Sequence, residues 1–229
     1  MTTTNQPTKS TLTPSQIVLL NGERFTTPGS KVTDDFVVSA QPVRIKDVAM
    51  AAMLAALLAL EARRGVTFEL RPDASGRSGA NLKLVFVLAE TGAGFAAETF
   101  EGWLESELVY LTPTRDNTVK QLATTAIVGA NADPWWGLLR LTRRSLFQAG
   151  LFEPYEERRG KFFKATVERW RATPQLAPIL AANPWEPVKA TLSDFERGRA
   201  ELYKACLENI ERGVRGMRPQ GGGTWGDPV

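Results

Sequence analysis

Thirteen consecutive apolar residues, Val48 to Leu60, run into Glu61-Ala62-Arg63-Arg64-Gly65 and then into Val66-Thr67-Phe68-Glu69-Leu70. A bilayer span needs about 20 apolar residues, so this run is too short for one. As a helix it is apolar all round and must be buried on nearly every side. The rest of the chain has to be arranged around it. The same order, helix pattern then glycine then strand pattern, recurs from Leu141 through Arg143-Arg144 to Gly150-Leu151-Phe152. Gly65 and Gly150 are each predicted to supply the left-handed residue that ends a helix.

Composition sets the range of functions. The chain has 229 residues, 43% hydrophobic and 23% charged, which suits one large domain or two small ones. It contains no histidine, and so lacks the commonest general base and the commonest transition-metal ligand. We therefore expect no catalytic residue, no metal and no cofactor. Cys206 is the single cysteine; it cannot close an intramolecular disulfide and is expected as a half-buried structural thiol. Paired carboxylates such as Glu98 and Glu101, or Glu105 and Glu107, lie in a helix pattern and are expected on a solvated face. No signal-peptide pattern opens the chain, and a cytoplasmic location is the expectation.

Charge is uneven. The net charge is +3, but residues 134–171 alone carry nine basic and four acidic side chains. A negatively charged partner should meet the protein there.

Residues 1–16 read as a disordered tail. A first unit is expected over 17–90. It has a short element at Ile17–Leu20, an Asn21-Gly22 turn, an apolar run at Phe36–Val38, and a helix from Val43 or Ile45 that breaks near Asp47. A hairpin of Val66–Leu70 with Leu82–Leu88 closes the unit. A second unit, 95–170, reads as helices Phe95–Leu111, Thr118–Val128 and Asp133–Ala149, then a hairpin of Leu151–Glu157 with Lys161–Arg169. In 171–218, prolines 174, 178, 184 and 187 are expected to break any long element before one helix over Ser193–Val214. That helix has a stripe of Phe195, Leu202, Cys206, Ile210 and Val214, suited to docking or to a homodimer contact through residues 193–214. Residues 219–229, with Trp225, read as a flexible tail.

The segment from Phe95 to Arg169, with its Val119-Lys120-Gln121-Leu122-Ala123 phrase and Leu146–Phe152, resembles the winged-helix superfamily. Residues 48–88 look like a degenerate copy of its last helix and wing. The leucine-rich helix, Arg-Gly and strand at Leu57–Leu70 is also similar to the Golgi phosphoprotein family of phosphoinositide-binding proteins, and to cytoplasmic domains of bacterial predicted membrane proteins of unknown function. The expected class is α+β, mainly α: two winged-helix-like units with β-hairpin wings and a C-terminal helical extension.

The resemblance implies a binding role. Arg140, Arg143, Arg144, Arg158, Arg159, Lys161 and Lys164 are the candidates for contact with a macromolecule, since such groups neutralise an acidic surface without a defined sequence. The leading expectation is a non-catalytic adaptor for a protein partner. A DNA-binding regulator or a peripheral protein on anionic lipid headgroups are the alternatives. Trp135-Trp136-Gly137-Leu138-Leu139 at the start of the third helix, and Glu153, Glu156 and Glu157 in the wing, weigh against duplex DNA.

Overall fold

The computed structural model describes residues 12–26, 43–72, 82–88, 92–112, 117–127, 133–159 and 165–216. The 1–11 part of the expected N-terminal tail, the Phe36–Val38 run, the tip of the first hairpin, Lys161, Lys164 and the tail with Trp225 lie outside them. The elements in order are α1 (Pro14–Leu20), a 3₁₀ turn (Gly22–Arg24), α2 (Ile45–Ala62), β1 (Val66–Pro72) and β2 (Leu82–Leu88). There follow α3 (Phe100–Leu111), α4 (Val119–Ile127), α5 (Pro134–Gln148), β3 (Phe152–Arg159), β4 (Ala165–Ala172), α6 (Leu176–Ala181), α7 (Trp185–Gly198) and α8 (Ala200–Gly216). The protein is α+β and mainly helical, with two small antiparallel hairpins.

Helix α2 is the centre of the molecule. It is one unbroken helix, without the break expected near Asp47. It meets α1, α3, α5, α7, α8 and β1, which is how a helix without a polar face is kept from water. Its ends are tied by charge: Lys46 donates to Glu211 of α8 at 2.6 Å, and Arg199 grips Glu61 through two bonds of 2.6 and 3.0 Å. The Lys46 hydrogen bond holds the Glu211 carboxyl below its ordinary range.

The hairpins are used differently. In the first, β1 alternates, with Val66 and Phe68 buried and Thr67 and Glu69 outward, whereas Leu84, Val85 and Phe86 of β2 are all buried. Val85 forms a bridge with Thr118, and the Phe86 N–H donates to the Asn117 carbonyl at 3.1 Å. The segment between α3 and α4 therefore joins the first hairpin as a third strand position. The second hairpin rests mainly on α5. Its register pairs Phe152 with Ala172 and Arg159 with Ala165, so β4 runs past Arg169, the expected end of the strand.

Both helix-to-strand junctions close with the same pair of hydrogen bonds. At α5, Gly150 N–H reaches the Phe147 carbonyl and Leu151 N–H the Leu146 carbonyl; at α2, Arg64 N–H reaches Glu61 and Gly65 N–H reaches Leu60. The left-handed residue is Gly150 in one case (φ 70°) but Arg64 in the other (φ 60°), which corrects the role expected of Gly65. Gly65 is required by space instead, since a Cβ there would lie 2.8 Å from the Ala93 Cβ and 3.0 Å from its N. Opposite outcomes follow at adjacent positions. Arg64→Gly relieves a conformation costing about 1–2 kcal/mol and, after the entropy glycine adds to the unfolded chain, should stabilise by about 0.5 kcal/mol. Gly65→Ala should destabilise by about 1–3 kcal/mol through overpacking. Urea midpoints that moved in the same direction for both would contradict this.

Other boundaries also differ from the sequence reading. Helix α3 starts at Phe100, not Phe95: Thr99 is its N-cap and accepts from Gly102 N, and residues 92–96 are loop. Pro187 lies in the first turn of the 14-residue α7, where a missing N–H costs nothing. Pro187 therefore does not break this segment as expected, whereas Pro184, the N-cap of α7, stands at the break that follows the six-residue α6. The single helix over 193–214 is instead α7 and α8, interrupted at Arg199 (φ −138°, ψ 51°).

Candidate functional site

Helix α5 carries the basic excess and begins with strong local signals. Pro134 occupies its first turn, and the Asp133 carboxylate accepts from the Trp135 N–H at 2.8 Å. Trp135, Leu138, Leu139, Thr142, Ser145 and Leu146 face inward and are buried, against α1, α2 and α4. Most of the bulky residues that weighed against a polar contact surface are therefore core. The outer face, at helical spacing, carries Trp136, Arg140, Arg143, Arg144 and Phe147.

On that face the aromatics and arginines are layered. The Arg143 guanidinium lies 5.9 Å from the Trp136 ring centre and 5.3 Å from that of Trp170, within cation–π range. Phe147 meets Trp170 edge-on at 5.2 Å and an 84° interplanar angle, and 43% of Phe147 is exposed. Arg140 and Arg144 are exposed beside this stack. At the base of the hairpin, Arg171 donates to Glu153 at 2.6 Å and lies 5.7 Å from the Tyr155 ring centre.

The candidate residues thus divide. Arg140, Arg143 and Arg144 share one helical segment. Arg158 and Arg159 occupy β3 positions opposite Thr166 and Ala165, about 20 Å along the strand from Phe152 at 3.3 Å per residue. The structure adds Trp170 and Phe147 to the face, while Tyr155 and Arg171 lie on the opposite side of the ribbon. The helical spacing from Trp136 to Phe147 was a signal for part of this; the approach of Trp170 depends on hairpin register, which the sequence does not show.

Two carboxylates expected on a solvated face are not there. Glu101 is fully buried and accepts from the Ser15 N–H at 2.8 Å and the Ser15 hydroxyl at 2.9 Å. Glu105 is half-buried and accepts from the backbone N–H groups of Ala93, Gly94 and Phe95. Both hold the chain together and leave little of their acceptor capacity for a substrate.

Cys206 is 2% exposed, more deeply buried than expected, and burial pushes its thiol up to about 12. Folding therefore favours the protonated thiol. The stability this contributes is intact below the unfolded-chain value of about 8.5 and is lost as pH rises toward 12. Folded protein at pH 8 should resist thiol reagents while urea-unfolded protein reacts; rapid labelling of the folded chain would show the thiol is accessible.

No helix among the described residues is long and apolar enough to cross a membrane. Compared with protein-family models, curated proteins and solved structures, the chain matches none.

Proposed function

We propose that this protein is a non-catalytic binding module that engages a protein partner through the outer face of α5 and the base of the second hairpin. The observation that carries the proposal is the stack of Trp136, Arg143, Trp170 and Phe147, flanked by Arg140 and Arg144. Aromatic residues and arginine dominate the energetics of protein interfaces. An arginine already packed between two indoles loses less freedom on binding than a mobile one. The exposed Glu156 lies on the adjoining strand, and its charge interrupts the uniformly positive surface that a phosphate backbone favours.

The test compares wild type with the double variant Arg140→Glu/Arg144→Glu and with Phe147→Ser, all full length. A protein captured from nuclease-treated lysate should bind either variant at least about 30-fold more weakly, the effect of losing a hot spot of 2 kcal/mol. Melting temperatures should stay within a few degrees of wild type, because these side chains are exposed. Salt-sensitive retention of duplex DNA lost in the double variant would replace this reading with a DNA-binding regulator. Co-sedimentation with anionic vesicles, lost in the same variant and not competed by duplex, would replace it with a peripheral lipid-binding protein.

A further inference from the structure

Between α2 and α7 the packing is left open. Ala55, Ala59 and Ala62 recur at helical spacing on α2, and their short side chains leave a gap of about 310 Å³ walled by Leu58, Val188 and Leu192. A second depression of about 390 Å³ surrounds the start of α1 and is floored by Gln16 and Ser145. The two share Pro14, Arg63 and Phe95. They adjoin there as two limbs, the gap apolar and the depression floored by polar side chains, with Arg63 on the rim of both.

The polar limb is largely satisfied within the chain. Gln16 donates to the Ser145 hydroxyl at 3.0 Å and accepts from the Thr13 N–H at 2.9 Å, while Ser145 donates to the Thr142 carbonyl at 2.8 Å. Arg63 differs. Its guanidinium lies over the Phe95 ring, 3.9 Å from the centroid, and one nitrogen donates to the Ala93 carbonyl at 3.4 Å. Among the described residues no carboxylate pairs with it. A guanidinium offers five N–H donors, and Arg63 is exposed, so most of its capacity is open to solvent at the rim of the groove. Glu98 on the polar side adds one negative charge and disfavours a multiply charged ligand.

We propose that this cleft binds an amphipathic monocarboxylate, its aliphatic chain lying between α2 and α7 and its carboxylate on Arg63. The apolar gap is at the lower end of the 300–1,000 Å³ range of small-molecule sites, which fits a single chain better than a ring system. This site is independent of the outer face of α5.

Calorimetric titration of the full-length protein with hexanoate, octanoate and decanoate, all below micelle formation, tests it. Affinity should rise about fourfold per methylene until the groove is filled, the increment for burying one such group. Decanol should bind about tenfold more weakly than decanoate, and Arg63→Gln should bring decanoate to the decanol level. Ala59→Leu, which fills the groove, and Thr191→Phe on the opposite exposed wall should each abolish binding of both. No saturable binding of decanoate by wild type would overturn the proposal, as would decyltrimethylammonium binding as tightly as decanoate. It would also fail if affinity survived in both groove-filling variants with folding intact.

Discussion

Gly213→Ala should loosen α8 from the rest of the protein. A Cβ at this position would lie 2.5 Å from the Lys120 carbonyl oxygen, 2.9 Å from the Ala123 Cβ and 3.2 Å from the Thr124 N. The first and third of these atoms are backbone of α4 and cannot turn aside. The helices must separate, and they carry with them Cys206, Ile210 and Val214, all buried. Alanine gains about 1 kcal/mol over glycine in helix propensity, yet overpacking against a backbone costs about 1–3 kcal/mol and disturbs every contact along the seam. We expect a net loss of about 1–2 kcal/mol in urea unfolding. Gly216→Ala, with open space at its Cβ, should be neutral or slightly stabilising. Equal stability of Gly213→Ala and wild type would mean that α4 and α8 do not approach so closely. The same variant bears on self-association. The stripe that would serve a homodimer faces the chain's own core, so a dimer through it has to displace α8. Sedimentation of Gly213→Ala should then show more dimer than wild type if that contact exists.

Much of the architecture was legible because it rests on local chemistry or on long apolar patterns. The Val48–Leu60 run could only be a buried helix, and Asp133-Pro134 marked the start of α5. Both hairpins could be read, since strand patterns followed each helix stop. The misreadings occur where a distant contact outranks a local signal. Gly65 looked like a left-handed cap because glycine tolerates that conformation best; Ala93, 28 positions away, is what requires it, and Arg64 takes the strained geometry. Phe95 fits α3 by spacing alone, yet its ring lies beneath Arg63 and its N–H faces Glu105. The break at Arg199 is reinforced by its bond to Glu61 of α2, a partner that no window along the sequence contains.

The candidate binding face was half legible for the same reason. Arg140, Arg143 and Arg144 lie on one helix, and charge counting found them. Trp136 and Phe147 share that helix, but Trp170 comes from β4, where a change of one residue in register would exchange the faces on which Trp170 and Arg171 lie. The double cleft had no sequence signature at all. Small residues on an apolar helix read as core, and only the distance between α2 and α7 reveals a gap.

Glu101→Ala should be among the most damaging single changes, although the residue resembles a surface carboxylate in sequence. Helix α1 has seven residues, too few to be stable in isolation, so tertiary contacts must hold it. Glu101, in the first turn of α3, receives both the N–H and the hydroxyl of Ser15 in a site closed to water. Alanine would strand both donors and leave a void. Hydrogen bonds to a charged group contribute about 1.5–3 kcal/mol, and an unsatisfied buried donor costs about 1–3 kcal/mol. A total near 3 kcal/mol is expected. Ser15→Ala removes only the hydroxyl bond and should cost about 1–2 kcal/mol, and the double variant should cost less than the sum of the two because they share a partner. Exposed Glu98→Ala provides the contrast, within about 0.5 kcal/mol of wild type. If Glu101→Ala unfolds in urea like Glu98→Ala, the carboxylate is not what seats α1. Because Pro14 lines both limbs of the cleft, freeing α1 should weaken decanoate binding more than a loss of global stability alone can explain. Capture through Arg140 and Arg144, on the outward side of α5, should persist for as long as the protein stays folded.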